Sequence, residues 1–491
     1  MTSPIALFLR CSWTCALISA FAVAIAQPVA REPQRSPEGR GPRHSLPTIA
    51  IDASLDVIVG RPTQQAVTLS VLAYTRDSKA TIAFGIDPAS LNQRTPVIAL
   101  TKGVPTEHLI EGLSPDTQYH YRVIDDATKA PLATGTFHTQ RKSGETFRFT
   151  VTADSHLDSN TDPRLYQQTL ASALADRPDF HVDLGDTFMT EKHESREAAA
   201  QQYLAQRYFF GHMAHSAPLF LVIGNHDGEE VRQTREGASS LGVWANGMRK
   251  RFFPNPQPNA FYRGNAVTDP LAGVLQDYYA WHWGDALFVV LNPYWHAPKR
   301  RSEEPWGLSL GTEQYQWLKT TLESSRARYK FVFVHQLLGG IDRQGRGGIE
   351  GVPFGEWGGK NADGSEGFQL HRPGWDMPIH SLLVRHHVSA VFHGHDHLFA
   401  KQDLDGIVYQ EVPQPGHPGT GNERNAAEYG YRAGTIMGHS GYMRISVAPD
   451  SARVDYMGAA PTTGRATESA NSKVHFSYAI APFAPTQATK P

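Results

Sequence analysis

The chain has 491 residues, enough for more than one domain and a large core. Its 46 basic and 48 acidic residues balance, and no basic block of five or more occurs, which argues against a nucleic-acid partner held by net charge. The two cysteines, Cys11 and Cys15, fall in the apolar stretch CSWTCALISAFAVAIA. Arg10 precedes that stretch and the small-x-small pattern Ala24-Ile25-Ala26 closes it, so residues 1–26 read as a secretory signal peptide. A retained anchor is the alternative. Cleavage after Ala26 leaves no cysteine, hence no disulfide and no thiolate ligand. The expected location is periplasmic or secreted. No later stretch approaches the roughly 18 apolar residues that a membrane span needs.

Residues 27–47, rich in Pro, Arg, Gly and Ser, read as a flexible linker. Residues 48–140 read as all-β. VTLSVLAY, ATIAFGI, HLIEGL, YHYRVI and TGTFHT are short runs of partial period-2 alternation divided by turn residues. The stretch from Leu113 to Tyr119, LSPDTQY, resembles the turn and tyrosine corner of fibronectin type III sandwiches. That resemblance implies a module that packs beside an active site or orients it.

From residue 146 strand-length apolar runs alternate with helical stretches, as in α/β folds. RFTVTAD, FHVDLGD, LFLVIGNHD, ALFVVLN, KFVFVHQ and VSAVFHGHDH read as buried strands, TEQYQWLKTTLESS and MPIHSLLVRH as helices. This domain is expected over 146–450, followed by C-terminal strands over 451–482 and a disordered tail over 483–491. Five of the six strands end in residues able to bind metal. Ligands of open α/β sheets gather at the carboxyl ends of strands, so these ends are expected to converge.

In chain order the ends give Asp154-Ser155-His156, Gly185-Asp186, Gly224-Asn225-His226-Asp227, His335 and Gly394-His395-Asp396-His397. In extended chain, residues i and i+2 face the same way, which would aim Asp154 with His156, and His395 with His397, into one site. Each glycine allows a sharp turn and a close backbone approach. Any one of these motifs is weak, but five in order are specific. The set resembles the calcineurin-like metallophosphoesterase superfamily over roughly residues 146–450.

The resemblance implies an α/β (α+β) four-layer sandwich, two β-sheets flanked by helices, behind the fibronectin-like module. It also implies two divalent or trivalent metal ions. Asp154, His156 and His397 would hold one, Asn225, His335 and His395 the other, and Asp186 would bridge both. His393, before the glycine, is read as structural. Imidazole, carboxylate and amide ligands suit Mn, Fe, Zn or Ni. Two such ions can activate a bridging hydroxide and clamp a phosphoryl group. Against two carboxylates and that hydroxide they leave a net charge of about +1, suited to an anionic ester. His226 is expected to contact the phosphoryl oxygen or protonate the leaving group, with Asp227 fixing its tautomer or capping the next helix. Asp183 and Asp396 lie near ligands without a catalytic role.

A fibronectin-like domain before such a fold is typical of purple acid phosphatases. Those enzymes carry D-x-G in the first motif and a tyrosine three residues after the bridging aspartate. Here these positions hold His156 and Met189, which disfavours a purple enzyme. Two long insertions, 228–280 and 339–378, are Gly-rich and aromatic and carry Arg251, Arg263 and Arg346. Arg263, with Asn225 and His226, is expected to reach a small phosphate-ester substrate. The expected function is an exported phosphoesterase that slightly favours monoesters. The alternatives are a phosphodiesterase acting on nucleotides or lipid headgroups, and a non-enzymatic surface-binding protein.

Overall fold

Short alternating strands pair into two facing sheets at the start of the described chain. Leu55–Gly60, Ala66–Ala73 and Thr106–Glu111 form one, and Ser78–Gly85, Gln118–Asp125 and Pro131–His138 the backbone of the other. The computed structural model describes residues 46–47, 49–230, 237–297, 304–340, 346–419, 422–460 and 472–483. The segment read as a signal peptide (residues 1–26), nearly all of that read as a linker (27–47) and most of that read as a tail (483–491) lie outside these residues. Val57, Val59, Leu69, Val71, Ile82, Tyr121 and Val123 fill the space between the sheets. The N–H of Ser114 donates to the Tyr119 hydroxyl at 2.9 Å and closes the turn as a tyrosine corner does. The strand Leu55–Gly60, absent from the alternation reading, is buried at all six positions.

The rest of the chain builds two larger sheets. The first has the order Leu219–Leu221, Phe180–Asp183, Phe147–Thr152, Gly441–Val447, Ala452–Gly458, Val474–Ile480. Its first three strands run parallel. The strands expected as a separate C-terminal piece over 451–482 thus complete this sheet. In the second sheet Ala286–Val290, Tyr329–Phe333, Ala390–His393 and Ile407–Glu411 run parallel, with antiparallel strands outside them. Phe149, Phe180, Phe220, Trp281, Phe288, Phe331 and Phe392 fill the space between the two sheets. Each such ring contributes roughly 1.5–3 kcal/mol when fully buried.

Helices cover both outer faces. Pro163–Ala175 and Arg196–Ala214 share a core with Leu219, Leu221, Tyr442 and Met457 of the first sheet. Asp162 caps the first of these helices by accepting the N–H groups of Arg164 and Leu165, ahead of a proline that already has helical φ. Gly311–Ser324 and Ile379–Arg385 pack on Leu287, Val289, Val332 and Val391 of the second sheet. The order is helix, sheet, sheet, helix: a four-layer α/β domain behind a β-sandwich. Among the described residues no helix is long and apolar enough to cross a membrane.

Candidate metal centre

The five segments that carry the candidate ligands all follow carboxyl ends of parallel strands, three in the first sheet and two in the second. Extended alternation does not bring their side chains together. The strands stop at Thr152 and His393, and the ligand pairs lie in turns beyond them. Asp154, His156, Asp186, His395 and His397 all adopt left-handed backbone, with φ of 54°, 46°, 53°, 86° and 61°. Such residues cost of order 1–3 kcal/mol each and persist only where their surroundings over-determine them. Glycines permit the close approach. A Cβ on Gly224 would lie 2.1 Å from the Asp186 nitrogen, and one on Gly394 2.6 Å from Asp154 Oδ2.

Two clusters result. Asp154, His156 and His397 offer ligand atoms within 4.8 Å of one another, and so do Asp186, His335 and His395. Asn225 joins the second, its Oδ1 3.0 Å from His335 Nε2. Asp186 Oδ2 lies between the clusters, 3.7 Å from His156 Nε2 and 3.4 Å from His335 Nε2. The donor set fits metal ions. Asp154 Oδ1 and His156 Nε2 are buried without a hydrogen-bond partner, 3.7 Å apart. The Nδ1–H of His335 donates to the Leu184 carbonyl at 3.0 Å, which aims its Nε2 lone pair at two oxygen acceptors, an arrangement favourable around a cation. Burial alone would lower the His335 pKa, but the Asp186 and Asp154 carboxylates outweigh it and push it up to about 9. The cluster draws in positive charge, as a proton or as a metal.

The turns are braced from several sides. Asp154 Oδ2 accepts the His395 N–H at 2.8 Å, which ties the first sheet's loop to the second's. Arg346 donates to Asp396 Oδ1 at 2.5 Å and to the His395 carbonyl at 3.0 Å, and it lies over the Tyr429 ring. Asp396 also accepts the Tyr431 hydroxyl. Asp183 accepts the Thr152 and Thr187 hydroxyls. His393 turns away from the ligands, its Nδ1 2.6 Å from Glu411 Oε2 on the neighbouring strand.

Two expectations are corrected here. Asp227 does not touch the His226 imidazole: its carboxylate accepts the N–H groups of Asp186, Thr187, Phe188 and Gly224 and clamps the loop that carries Asp186. The imidazole is held instead by Glu191, whose Oε1 meets His226 Nδ1. Arg263 points the other way along the sheet. It donates to Ser324 Oγ at 2.7 Å, at the end of the helix that leads into the start of Tyr329–Phe333, whereas the ligands follow strand ends. Arg251 lies exposed over the Phe252 ring. Glu191 escaped the sequence reading because nothing in TEKHESRE marks it apart from Glu194 or Glu197.

Met189, at the position of the purple enzymes' tyrosine ligand, is buried. The metal-loaded protein is therefore expected to lack the intense visible band of ferric tyrosinate. An absorption spectrum checks this. A strong purple band lost on Met189 or His156 substitution would contradict it.

Two sheets that join strand ends around paired His/Asp clusters define a candidate dinuclear metal centre, and the family match makes its class that of a metal-dependent phosphoric ester hydrolase. The chain belongs to the calcineurin-like phosphoesterase family, whose model matches residues 147–399, just over half of its length. Among solved structures it is similar to PhoD, with a TM-score of 0.62 and 13% identity over 90% of this chain and 94% of that one. It is also similar to the purple acid phosphatase PPD1 from yellow lupin (Lupinus luteus) seeds, with a TM-score of 0.57 and 13% identity over 87% of this chain and 74% of that one. At such identity both likenesses concern the fold. A comparison with curated proteins gave no match.

Proposed function

We propose that the protein is an exported phosphoesterase that hydrolyses small phosphate esters with two metal ions. Asp154, His156 and His397 hold one ion, Asn225, His335 and His395 the other, and Asp186 lies between them. The observation that supports this reading is that Asp154 Oδ1 and His156 Nε2, in one of two candidate clusters, are buried without a hydrogen-bond partner. When bound, two ions of the Mn, Fe, Zn or Ni type polarise phosphoryl oxygens and lower the pKa of water. The side chains supply the rest. The Asn225 amide NH₂ would meet a phosphoryl oxygen. The Nε2 of His226 gives its proton to the leaving oxygen. Glu191 accepts from Nδ1 and keeps the ring turned for that transfer. Export rests on the residue 1–26 signal pattern alone.

Among the described residues, the insertion arginines give the expected preference for monoesters no support. That preference depended on insertion arginines to bind the extra charge of a monoester dianion. Arg263 binds Ser324, and Arg346 is spent on Asp396 and His395. A diester monoanion needs no such cation, so the phosphodiesterase reading stands level with the monoesterase. With the same metals loaded, kcat/KM for nitrophenyl phosphate and bis-nitrophenyl phosphate is expected to agree within about tenfold, or 1.4 kcal/mol. A larger ratio in either direction assigns the substrate class and overturns the parity. Activity towards neither ester, with metals bound, overturns the proposed function.

A further inference from the structure

The ligand turns hold several left-handed residues, so something must keep them in place. Part of that restraint comes from one helix. Arg196–Ala214 buries eleven of its residues, among them three polar ones, Gln202, Gln206 and Arg207, each fully excluded from solvent. Gln202 Nε2 donates to the His156 carbonyl at 2.6 Å and the Thr187 carbonyl at 2.9 Å. Gln206 Nε2 donates to Ser155 Oγ at 3.0 Å and to the same Thr187 carbonyl at 2.8 Å. Spaced i, i+4, the two amides share a helix face. Together they span the loop of Asp154 and His156 and the loop of Asp186. The two loops are also bonded directly, Asp154 N–H to the Gly185 carbonyl and His156 N–H to the Asp186 carbonyl.

The next residue, Arg207, faces the β-sandwich. Its Nε donates to Asp56 Oδ1 at 2.9 Å, its Nη1 to Ser70 Oγ at 3.1 Å and its Nη2 to the Ser70 carbonyl at 2.8 Å. Asp56 and Ser70 belong to the strands Leu55–Gly60 and Ala66–Ala73. Tyr74 caps the other Asp56 oxygen. A guanidinium with this many fixed acceptors permits little rotation or sliding of the helix. The chain of contacts runs from the sandwich through Arg207 to the helix, then through Gln202 and Gln206 to the metal loops.

We infer that the β-sandwich helps set the geometry of the metal centre through this helix, with Arg207, Gln202 and Gln206 as positioning residues. The inference rests on the reading of the two clusters as metal sites. The sandwich thereby acts on metal retention rather than on substrate.

Manganese(II) titration of the metal-free full chain, followed by the EPR signal of free and coupled ions, tests this beside a thermal melt of each protein. Gln206→Leu is expected to weaken Mn(II) binding by roughly 10–100-fold, the usual worth of a residue that orients ligands. Arg207→Lys keeps a buried cation but loses the fork, and should weaken binding by about tenfold on the same scale. Ser70→Ala, which trims one Arg207 contact inside the sandwich, should shift binding in the same direction. Val59→Ala serves as the control, because it removes sandwich core without touching Arg207 and should melt earlier yet bind Mn(II) as the wild type does. Wild-type affinity in folded Arg207→Lys and Ser70→Ala would overturn the inference, as would an equal loss in Val59→Ala. Should Arg207→Lys fail to fold, Ser70→Ala decides alone. A wild type that takes up no manganese, zinc or iron overturns the metal reading itself, a separate result.

Discussion

Asp186→Asn is expected to strip both metal ions from the protein and to lower turnover by about 10³-fold or more, the loss of several kcal/mol of charge stabilisation. The substitution is isosteric, so its effect reports on the carboxylate charge and its replacement by an amide rather than on side-chain volume. Geometry makes the change worse than neutral. Asp186 Oδ1 accepts the His226 N–H at 2.7 Å, so an asparagine must keep its oxygen there. Its NH₂ then takes the place of Oδ2, 3.7 Å from His156 Nε2 and 3.4 Å from His335 Nε2. Two donor hydrogens would face the space where cations bind. Metal analysis of purified protein, with melting of the metal-free form, separates this from unfolding. Full metal occupancy in Asp186→Asn would show that the aspartate is not shared by two ions.

A paired comparison checks the strand end that bears three histidines. His395→Ala should lose metal. His393→Ala should lose stability instead. Burial holds the His393 imidazole neutral, down to about 3, while burial and the Asp396 charge push the Glu411 carboxyl up. Removing His393 leaves Glu411 buried beside a void, a cost of roughly 1–3 kcal/mol that does not involve the metals. Equal metal loss in the two variants would show that His393 is a ligand.

Most of the candidate ligands were legible because they couple a strand end to a glycine or a second candidate ligand, and the parallel sheets bring strand ends together; His335 has neither neighbour and is read through the resemblance. What the sequence could not carry was contact made across the fold. Asp227 is adjacent to His226 in sequence, but the turn aims its carboxylate at backbone N–H groups of another loop. Gln202 and Gln206 lie in AAAQQYLAQRYFF, a stretch that the sequence reading did not single out, yet both side chains are fully buried. Leu55–Gly60 shows no alternation because both its faces are covered. Ile58 packs with the helix Arg196–Ala214, and Val57 and Val59 pack into the sandwich. Arg263 sits in an insertion of the kind that often carries specificity, but its short strand Arg263–Gly264 pairs with Tyr279–Trp283 so that the guanidinium reaches the far end of the sheet. In each case the missing information was which element lies on the other side.

His226→Ala is expected to keep both metals and to lose roughly 10²–10⁴ in kcat, the usual worth of a positioned acid or base. The imidazole stands beside the ligands rather than among them. Its backbone N–H serves Asp186, and its Nδ1 is taken by Glu191, leaving Nε2 as the nitrogen that can serve the substrate. A donor role predicts dependence on the leaving group. An alkyl phosphate needs a proton on the departing oxygen, while nitrophenolate leaves without one, so the loss should shrink for the nitrophenyl ester. Glu191→Gln supplies an independent reading of the same atom pair. The amide keeps a hydrogen bond to the ring but withdraws the charge that favours Nδ1–H, and a loss of about 10–100-fold in kcat with unchanged metal content is expected for such an orienting partner. The double variant should then lose little more than His226→Ala, because Glu191 acts only through the ring. Additive losses would place Glu191 on the substrate directly. A fall in metal content with His226→Ala would make the imidazole a ligand and remove it from proton transfer.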